Sequence, residues 1–488
     1  MNTSEPPFSK RMMRRAVTAL LLAGVVAQGS AQSIRLPDIA DSSEAVISKV
    51  DDTQLGELFL REIRAREEAL EDPEVEHYVN EIGYRLTQAS DGANRPFTFL
   101  VLREPIVNAF AGPNGVIGLN TGLILATESE SELAAVLSHE IAHVTQRHVA
   151  RAFELEEINS VYKVAGILAA IVLATQNSQA GTGALGVVTA ADIQQRIDFI
   201  RRNEREADRI GMEILTKADY DPQAMPAFFE QLQQAQRYYR TPPEFLSTHP
   251  VTSDRIAEAR QRAERFKFRQ YKDSDAYLRV RAKLKVLVDG PKAAKEYFER
   301  RLASGQGRRL ASAEHYGLVH ALIGLEQWQK ALDTVQPLME KSPDVLPIRD
   351  ALAKVLHGFG RTDEAVALYR QSLRAYVNDR LLVIGLAEVL IDAGRNREAA
   401  SLLGNYVQRV RSDARAYHLL AEANARSGQR AASAAALAEH HYLNGRLEAA
   451  VYQLERAQRG DGGADYYLAA RIGARLEQLK AEKLARDE

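Results

Sequence analysis

The chain has 488 residues, 45% hydrophobic and 26% charged, a balance that excludes a wholly disordered chain, a collagen and a polytopic membrane protein. Its 63 Lys plus Arg against 65 Asp plus Glu give a formal net charge of −2, so nothing points to a nucleic-acid partner. Cysteine is absent, which rules out disulfide staples, thiolate metal sites and thiol nucleophiles and leaves His and carboxylate to hold any metal.

Residues 1–31 place Lys10, Arg11, Arg14 and Arg15 ahead of a mostly apolar run, Ala16 to Ala27, that ends in Gly29-Ser30-Ala31. The run is shorter than the ~20 residues of a spanning helix and reads as a cleaved export signal. With no other long apolar span and no cysteine, the expected location is a bacterial periplasm. A polar, Pro-containing lead-in follows over 32–50. From Asp52 to about Ser90 apolar residues recur at helical spacing, with a break and restart at Glu71-Asp72-Pro73. Phe97–Leu102 is β-rich, and Gly112-Pro113-Asn114-Gly115 between two short apolar runs signals a hairpin. A small antiparallel sheet is expected here. Ser129 with Glu132 forms a capping box and opens a helical pattern running past His143 to about Glu157.

Residues 164–174 form a second apolar run with a Gly/Ala/Ser-rich tail. It reads either as an ordinary buried helix or as a mobile segment touching substrate or a membrane surface. A helix is expected from about Gln194 to Lys217, and after about Tyr271 the pattern is helical almost to the end. There Gly360-Arg361-Thr362-Asp363-Glu364-Ala365 recurs as Gly394-Arg395-Asn396-Arg397-Glu398-Ala399, with Gly428-Gln429-Arg430 one step on and Ala331 one step before, at 34-residue spacing. A helix-turn-helix of that period looks like the tetratricopeptide repeat, which stacks into a solenoid and binds peptides or proteins.

The sharpest local pattern is His139-Glu140-Ile141-Ala142-His143. Residues four apart share a helix face, so both imidazoles reach one ion, with Glu140 beside them as a proton acceptor. The apolar flanks Leu133, Val136, Leu137 and Val144 bury this helix, and a buried His-Glu-His face needs a partner for its polarity. A catalytic zinc takes three protein ligands plus water. The best candidate for the third is Glu204, with Asp208 one turn on to accept a hydrogen bond from a ligand histidine. Ala207 and Gly211 let the two helices approach closely. Glu206 is off that face and is the weaker choice. His148 sits about 140° round a continuous helix from His143 and is expected to stay out of the site. His249, in Ser247-Thr248-His249-Pro250, is expected either to fill the open metal position at rest or to donate to the oxyanion during turnover.

Together the His-Glu-x-x-His helix, the Glu204-x-x-Ala207-Asp208 segment, the Ser-Thr-His-Pro loop and Asn108-Ala109-Phe110 ahead of the hairpin resemble the M48 zinc metallopeptidases. The export signal and C-terminal repeats resemble one branch of that family more closely, periplasmic members concerned with outer-membrane barrel assembly. The resemblance implies one zinc per chain on His139, His143 and Glu204, with Glu140 as general base. It also implies action on unfolded or misassembled outer-membrane proteins and their assembly machinery, with chaperone-like as well as degradative roles. The implied architecture is an α+β zincin-like metalloprotease domain over 32–270, followed by an all-α tetratricopeptide-repeat solenoid over 271–488. An extended substrate is expected to pair with the strand near Val116–Leu119, and the 164–174 segment is a candidate for peripheral membrane contact. The competing reading is a latched or non-catalytic periplasmic scaffold that binds proteins through its repeats.

Overall fold

A computed structural model describes residues 49–65, 69–154, 190–238, 245–267, 269–304, 311–459 and 466–487. The expected export signal and the 164–174 segment lie outside the described residues. No helix among the described residues is long and apolar enough to cross a membrane.

Helix α1 (Lys49–Ala65) and helix α2 (Pro73–Gln88) fall on either side of the expected break. Asp72 makes that break by accepting from the backbone N–H groups of Glu74 and Val75, with Pro73 at the first helical position, where its missing donor costs nothing. Strands β1 (Thr98–Leu102), β2 (Ala109–Ala111) and β3 (Val116–Asn120) form one sheet in the order β1-β3-β2.

The sheet is mixed, which corrects the antiparallel expectation. β2 and β3 are the hairpin foreseen, with Ala109 opposite Leu119. β1 enters parallel to β3, with Thr98 opposite Val116. A parallel neighbour leaves no local turn signal, so only the hairpin half could be read from the chain. The consequence is that β3 is central and cannot take a further strand. Among the described residues β2 pairs only with β3, so its outer edge is open, while the outer side of β1 carries one bridge, Leu102 to Ala69.

The short helix α3 (Thr121–Ala126) leads to α4 (Glu130–Thr145), whose N-cap Ser129 accepts from Glu132 N–H at 3.2 Å. Glu132 in turn accepts from Glu128 N–H at 2.6 Å, one residue ahead of the position a capping box uses. The helix stops well before Glu157. Arg147 takes a left-handed φ of 55°, and α5 (His148–Glu154) starts afresh after it.

Helix α6 (Ala190–Lys217) packs along α4, followed by α7 (Ala224–Tyr238), the single turn α8 (Phe245–Thr248) and α9 (Ser253–Ala263). One apolar core joins α2, the sheet, α4, α6, α7 and α9 and continues into α10 (Asp275–Asp289) through Tyr277, Val280 and Leu284. The apolar face of α10 is therefore built into the first core, although it lies beyond the expected boundary at 270.

Eleven further helices follow among the described residues. They are α11 (Pro291–Ser304), α12 (Ala311–Gly324), α13 (Trp328–Lys341), α14 (Leu346–Gly358), α15 (Thr362–Ala375), α16 (Arg380–Asp392), α17 (Asn396–Arg409), α18 (Ala414–Arg426), α19 (Arg430–Leu443), α20 (Leu447–Arg459) and α21 (Tyr466–Asp487). Successive helices pack against one another. The repeat read from the sequence appears as geometry: Gly360, Gly394 and Gly428 take φ of 87°, 73° and 79° in the turns, a region costly for any side chain. Ala331, Ala365 and Ala399, at the same phase, are fully buried where paired helices touch.

The solenoid is fastened to the first unit by charge. The acidic first turn of α2 meets Lys283 of α10, whose Nζ lies 2.9 Å from Asp72 and 3.0 Å from Glu74. Tyr316 of α12 donates to Glu74 at 2.6 Å, and Arg380 of α16 lies 3.2 Å from Glu76.

Candidate metal centre

Helix α4 presents His139, Glu140 and His143 inward because it is buried almost along its whole length. Helix α6 lies against it closely. A Cβ on Gly211 would stand 3.1 Å from the backbone nitrogen of His139, and Ala207 is fully buried. Small residues at these two positions bring Glu204 and Asp208, which share a face of α6, up to the histidine pair.

His139, His143, Glu204 and His249 each offer one ligand atom, all within 4.8 Å of one another, and all four are buried. Their Nε2 atoms bring His139 and His143 to 3.0 Å, and Glu204 lies 3.4 Å from His139 and 3.3 Å from His143. His249 enters from the end of α8, with Nδ1 3.0 Å from Glu204 Oε1 and Nε2 3.5 Å from Glu140 Oε1. Its ring lies against Phe245 with centroids 4.8 Å apart, and Phe245 N–H donates to Val107 O at 3.1 Å, just ahead of β2.

Asp208 occupies the place expected of it, with Oδ1 3.1 Å from His139 Nδ1. The side of His139 away from the cluster is thereby set. Two residues that the sequence reading did not place here complete the surroundings. Arg255 of α9 is a buried guanidinium that forks onto Asp208 at 2.7 and 2.8 Å, reaches Glu204 at 2.9 Å and donates to Pro250 O at 2.7 Å. Its only signal in the sequence was a basic residue shortly after the Ser-Thr-His-Pro loop. His148, set aside as lying round the helix, is outside the four-residue group but touches it, with its Nδ1 2.8 Å from His143 Nδ1. The turn at Arg147 rotates it back. Glu206 pairs with His148 and Arg151, away from the cluster.

The electrostatics of the group set burial against close pairs of opposite charge. Burial opposes the charge on Glu204, but the facing histidines outweigh it and hold the carboxyl well below its ordinary range. Burial likewise opposes ionisation of Asp208, and the Arg255 fork overcomes it. For His139, burial is outweighed by the carboxylates of Asp208 and Glu204, so its pKa is pushed up to about 10. Burial takes His143 down to about 3, so it stays neutral with a lone pair free to ligate.

Glu140 differs from the rest. It is fully buried, both its carboxylate oxygens lack a hydrogen-bond partner, and burial raises its pKa. A buried carboxylate that accepts no hydrogen bond and has His249 Nε2 at 3.5 Å as its charged neighbour is costly, and a proton-transfer role is the chemistry that retains one. Two imidazoles and a carboxylate, with a third imidazole near, are a donor set of the kind borderline-soft zinc takes. The residues fit the ion.

Comparison with known proteins matches residues 73–263 to peptidase family M48 and residues 356–422 to the tetratricopeptide repeat. The chain is 33% identical over 476 residues to the beta-barrel assembly-enhancing protease of Escherichia coli strain K12, covering 96% of this chain and 97% of that one. The protein of the same description from Yersinia pestis is 33% identical over 484 residues, covering 96% of this chain and 98% of that one. The mitochondrial metalloendopeptidase OMA1 of Arabidopsis thaliana is 34% identical over 151 residues, which is 31% of this chain and 28% of that one.

Proposed function

The chain belongs to peptidase family M48, and on that premise we propose that it is a periplasmic zinc endopeptidase. Its role is quality control and assembly of outer-membrane β-barrel proteins, with a chaperone-like side. The observation that carries the catalytic part is the buried group His139, His143, Glu204 and His249 with Glu140, which accepts no hydrogen bond, beside it. The biological part rests on the two beta-barrel assembly-enhancing relatives, similar along nearly their whole length, and on repeats of a kind that bind proteins. The location rests on the export signal read in residues 1–31.

His139, His143 and Glu204 would hold one zinc, with His249 in the fourth position at rest. When bound, zinc polarises the scissile carbonyl and lowers the pKa of a water toward neutrality. Glu140 takes the proton from the attacking water and delivers it to the leaving nitrogen. Burial keeps its pKa above the ordinary carboxylate range, nearer the value an acid–base catalyst needs. Asp208 orients the His139 ring, and Arg255 holds Asp208 and the backbone beside His249. The extended substrate pairs with the outer edge of β2 rather than with β3, whose two neighbours are already taken.

A second reading, a latched scaffold, is favoured by His249, which lies within donor distance of the other three ligand atoms. One set of assays separates the two. Metal content is measured, and cleavage of an unfolded barrel protein is followed for wild type, Glu140→Gln and His249→Ala. Glu140→Gln is expected to keep zinc and lose cleavage; a variant cutting as fast as wild type refutes the mechanism. His249→Ala is expected to raise the rate if His249 latches the site and to lower it if it serves the oxyanion. An unchanged rate removes both roles. Zinc-free wild type refutes the ligand set.

A further inference from the structure

We infer that His148 is a positioning residue for His143, the middle member of a hydrogen-bonded chain that starts at Glu206 and fixes which nitrogen of His143 faces the metal. The inference rests on the proposed role of His143 as a ligand.

The geometry leaves one self-consistent arrangement of protons. His143 Nε2 points into the ligand group, 3.0 Å from His139 and 3.3 Å from Glu204. To ligate, that nitrogen must carry a lone pair, so the proton of the neutral ring sits on Nδ1. The atom nearest that proton is His148 Nδ1, at 2.8 Å. It must therefore be the acceptor, which puts the proton of His148 on Nε2. That nitrogen lies 3.1 Å from Glu206 Oε2, a carboxylate that only accepts and that Arg151 also holds at 3.2 Å.

Reversing the order fails at both ends. It would put a proton on His143 Nε2, blocking the ligand atom, and set a bare His148 Nε2 against the lone pairs of Glu206. The anion at the outer end thus selects the ligating tautomer at the inner end, two rings away. No pH change is needed, because the order follows from which atoms face each other.

Two further observations separate this from a helix-end contact that happens to lie near. His148 is 4% exposed, so its ring nitrogens depend on protein partners. And Arg147 adopts φ 55° at the turn that brings it there, a conformation that is strained for a side-chain-bearing residue and persists where surroundings impose it.

The test uses the full chain. Zinc affinity is measured by chelator competition, with thermal unfolding of the metal-free protein alongside. Loss of such an outer partner weakens metal binding about 10–100-fold, and that loss is expected for His148→Leu. His148→Asn keeps an acceptor near the Nδ1 position without reaching Glu206, so it is expected to recover part of the affinity and not all of it, whatever the two variants do to the melting point. In zinc-loaded wild type, nitrogen-15 spectra of the histidines are expected to place protons on His143 Nδ1 and His148 Nε2. A His148→Leu protein that binds zinc as tightly as wild type overturns the inference and leaves the ligand set standing, as does an Asn variant no better than Leu or the opposite tautomer on either ring. Wild type that binds no zinc overturns the ligand reading itself.

Discussion

Replacing Arg255 by Met tests the electrostatic account of the site most directly. Methionine keeps an apolar stem against Phe229, over whose ring the guanidinium lies at 5.1 Å, and removes only the charge and its donors. Asp208 loses a two-pronged partner at 2.7 and 2.8 Å, Glu204 loses one at 2.9 Å, and Pro250 O loses its donor. Breaking a buried pair from one side costs about 3–5 kcal/mol, since the remaining charge stays out of water. At about 2–4 °C per kcal/mol for a unit of this size, the metal-free protein should melt roughly 6–20 °C lower. Zinc should shrink the penalty, because a cation near Glu204 replaces part of what Arg255 supplied. The pH dependence has a definite sign. Arg255 holds Asp208 below its ordinary range, so its contribution is present at neutral pH and is lost as pH falls through the folded pKa. The gap between wild type and variant should therefore be widest near pH 7 and narrow toward pH 4 as the variant's Asp208, left with His139 alone, protonates. Melting curves at both pH values, with and without zinc, decide it. A metal-free variant within about 1 kcal/mol of wild type, or a gap that does not change with pH, would refute the reasoning.

Three more perturbations address the solenoid and its attachment. Lys283→Met leaves Asp72 and Glu74 without their buried cation and should cost about 3–5 kcal/mol in urea unfolding. Burial opposes the charge of Asp72, but Lys283 keeps its pKa lowered, so wild type should retain this contribution until pH falls below the ordinary carboxylate range, and the variant should lack it. Gly360→Ala should destabilise by about 1–2 kcal/mol because φ there is 87°. Gly404→Ala, in the body of α17 with nothing near the new methyl, should stabilise by about 1 kcal/mol. Equal signs for the two glycines would contradict the turn assignment.

What could be read from the chain was what is local. The His139–His143 face and the Glu204/Asp208 pair follow from helical spacing alone, and the repeat announced itself because each turn reuses glycine at one phase. What could not be read depends on a single backbone angle or on tertiary placement. A continuous helix through Arg147 would carry His148 away from the metal site; φ 55° brings it back. Arg255 has no spacing relation to Asp208, 47 residues earlier. The choice of edge strand failed for a similar reason. Hairpin chemistry identified β2 and β3, but which of them is central is decided by β1, whose parallel pairing has no turn to betray it.

The same tertiary placement ties the far end of the solenoid to the helix that covers the sheet. A solenoid contacts only its neighbours and by itself is a spring fixed at one end. Here the inner end is held at α2 through Lys283, Tyr316 and Arg380, and the far end returns to α1. Arg61 of α1 donates to Tyr442 of α19 at 2.7 Å, lies over its ring at 4.4 Å and pairs with Glu482 of α21. On the same helix Phe59, fully buried, meets Phe110 of β2 edge-on at 6.1 Å. Contiguity of this kind is not coupling, but it sets a cost. Lifting the last repeat from α1 breaks hydrogen bonds made by a charged, partly buried guanidinium, each worth about 1.5–3 kcal/mol. A partner that pulls on the C-terminal repeats works against that clasp, on a helix whose inner face packs against all three strands through Leu100, Leu102, Phe110 and Val116.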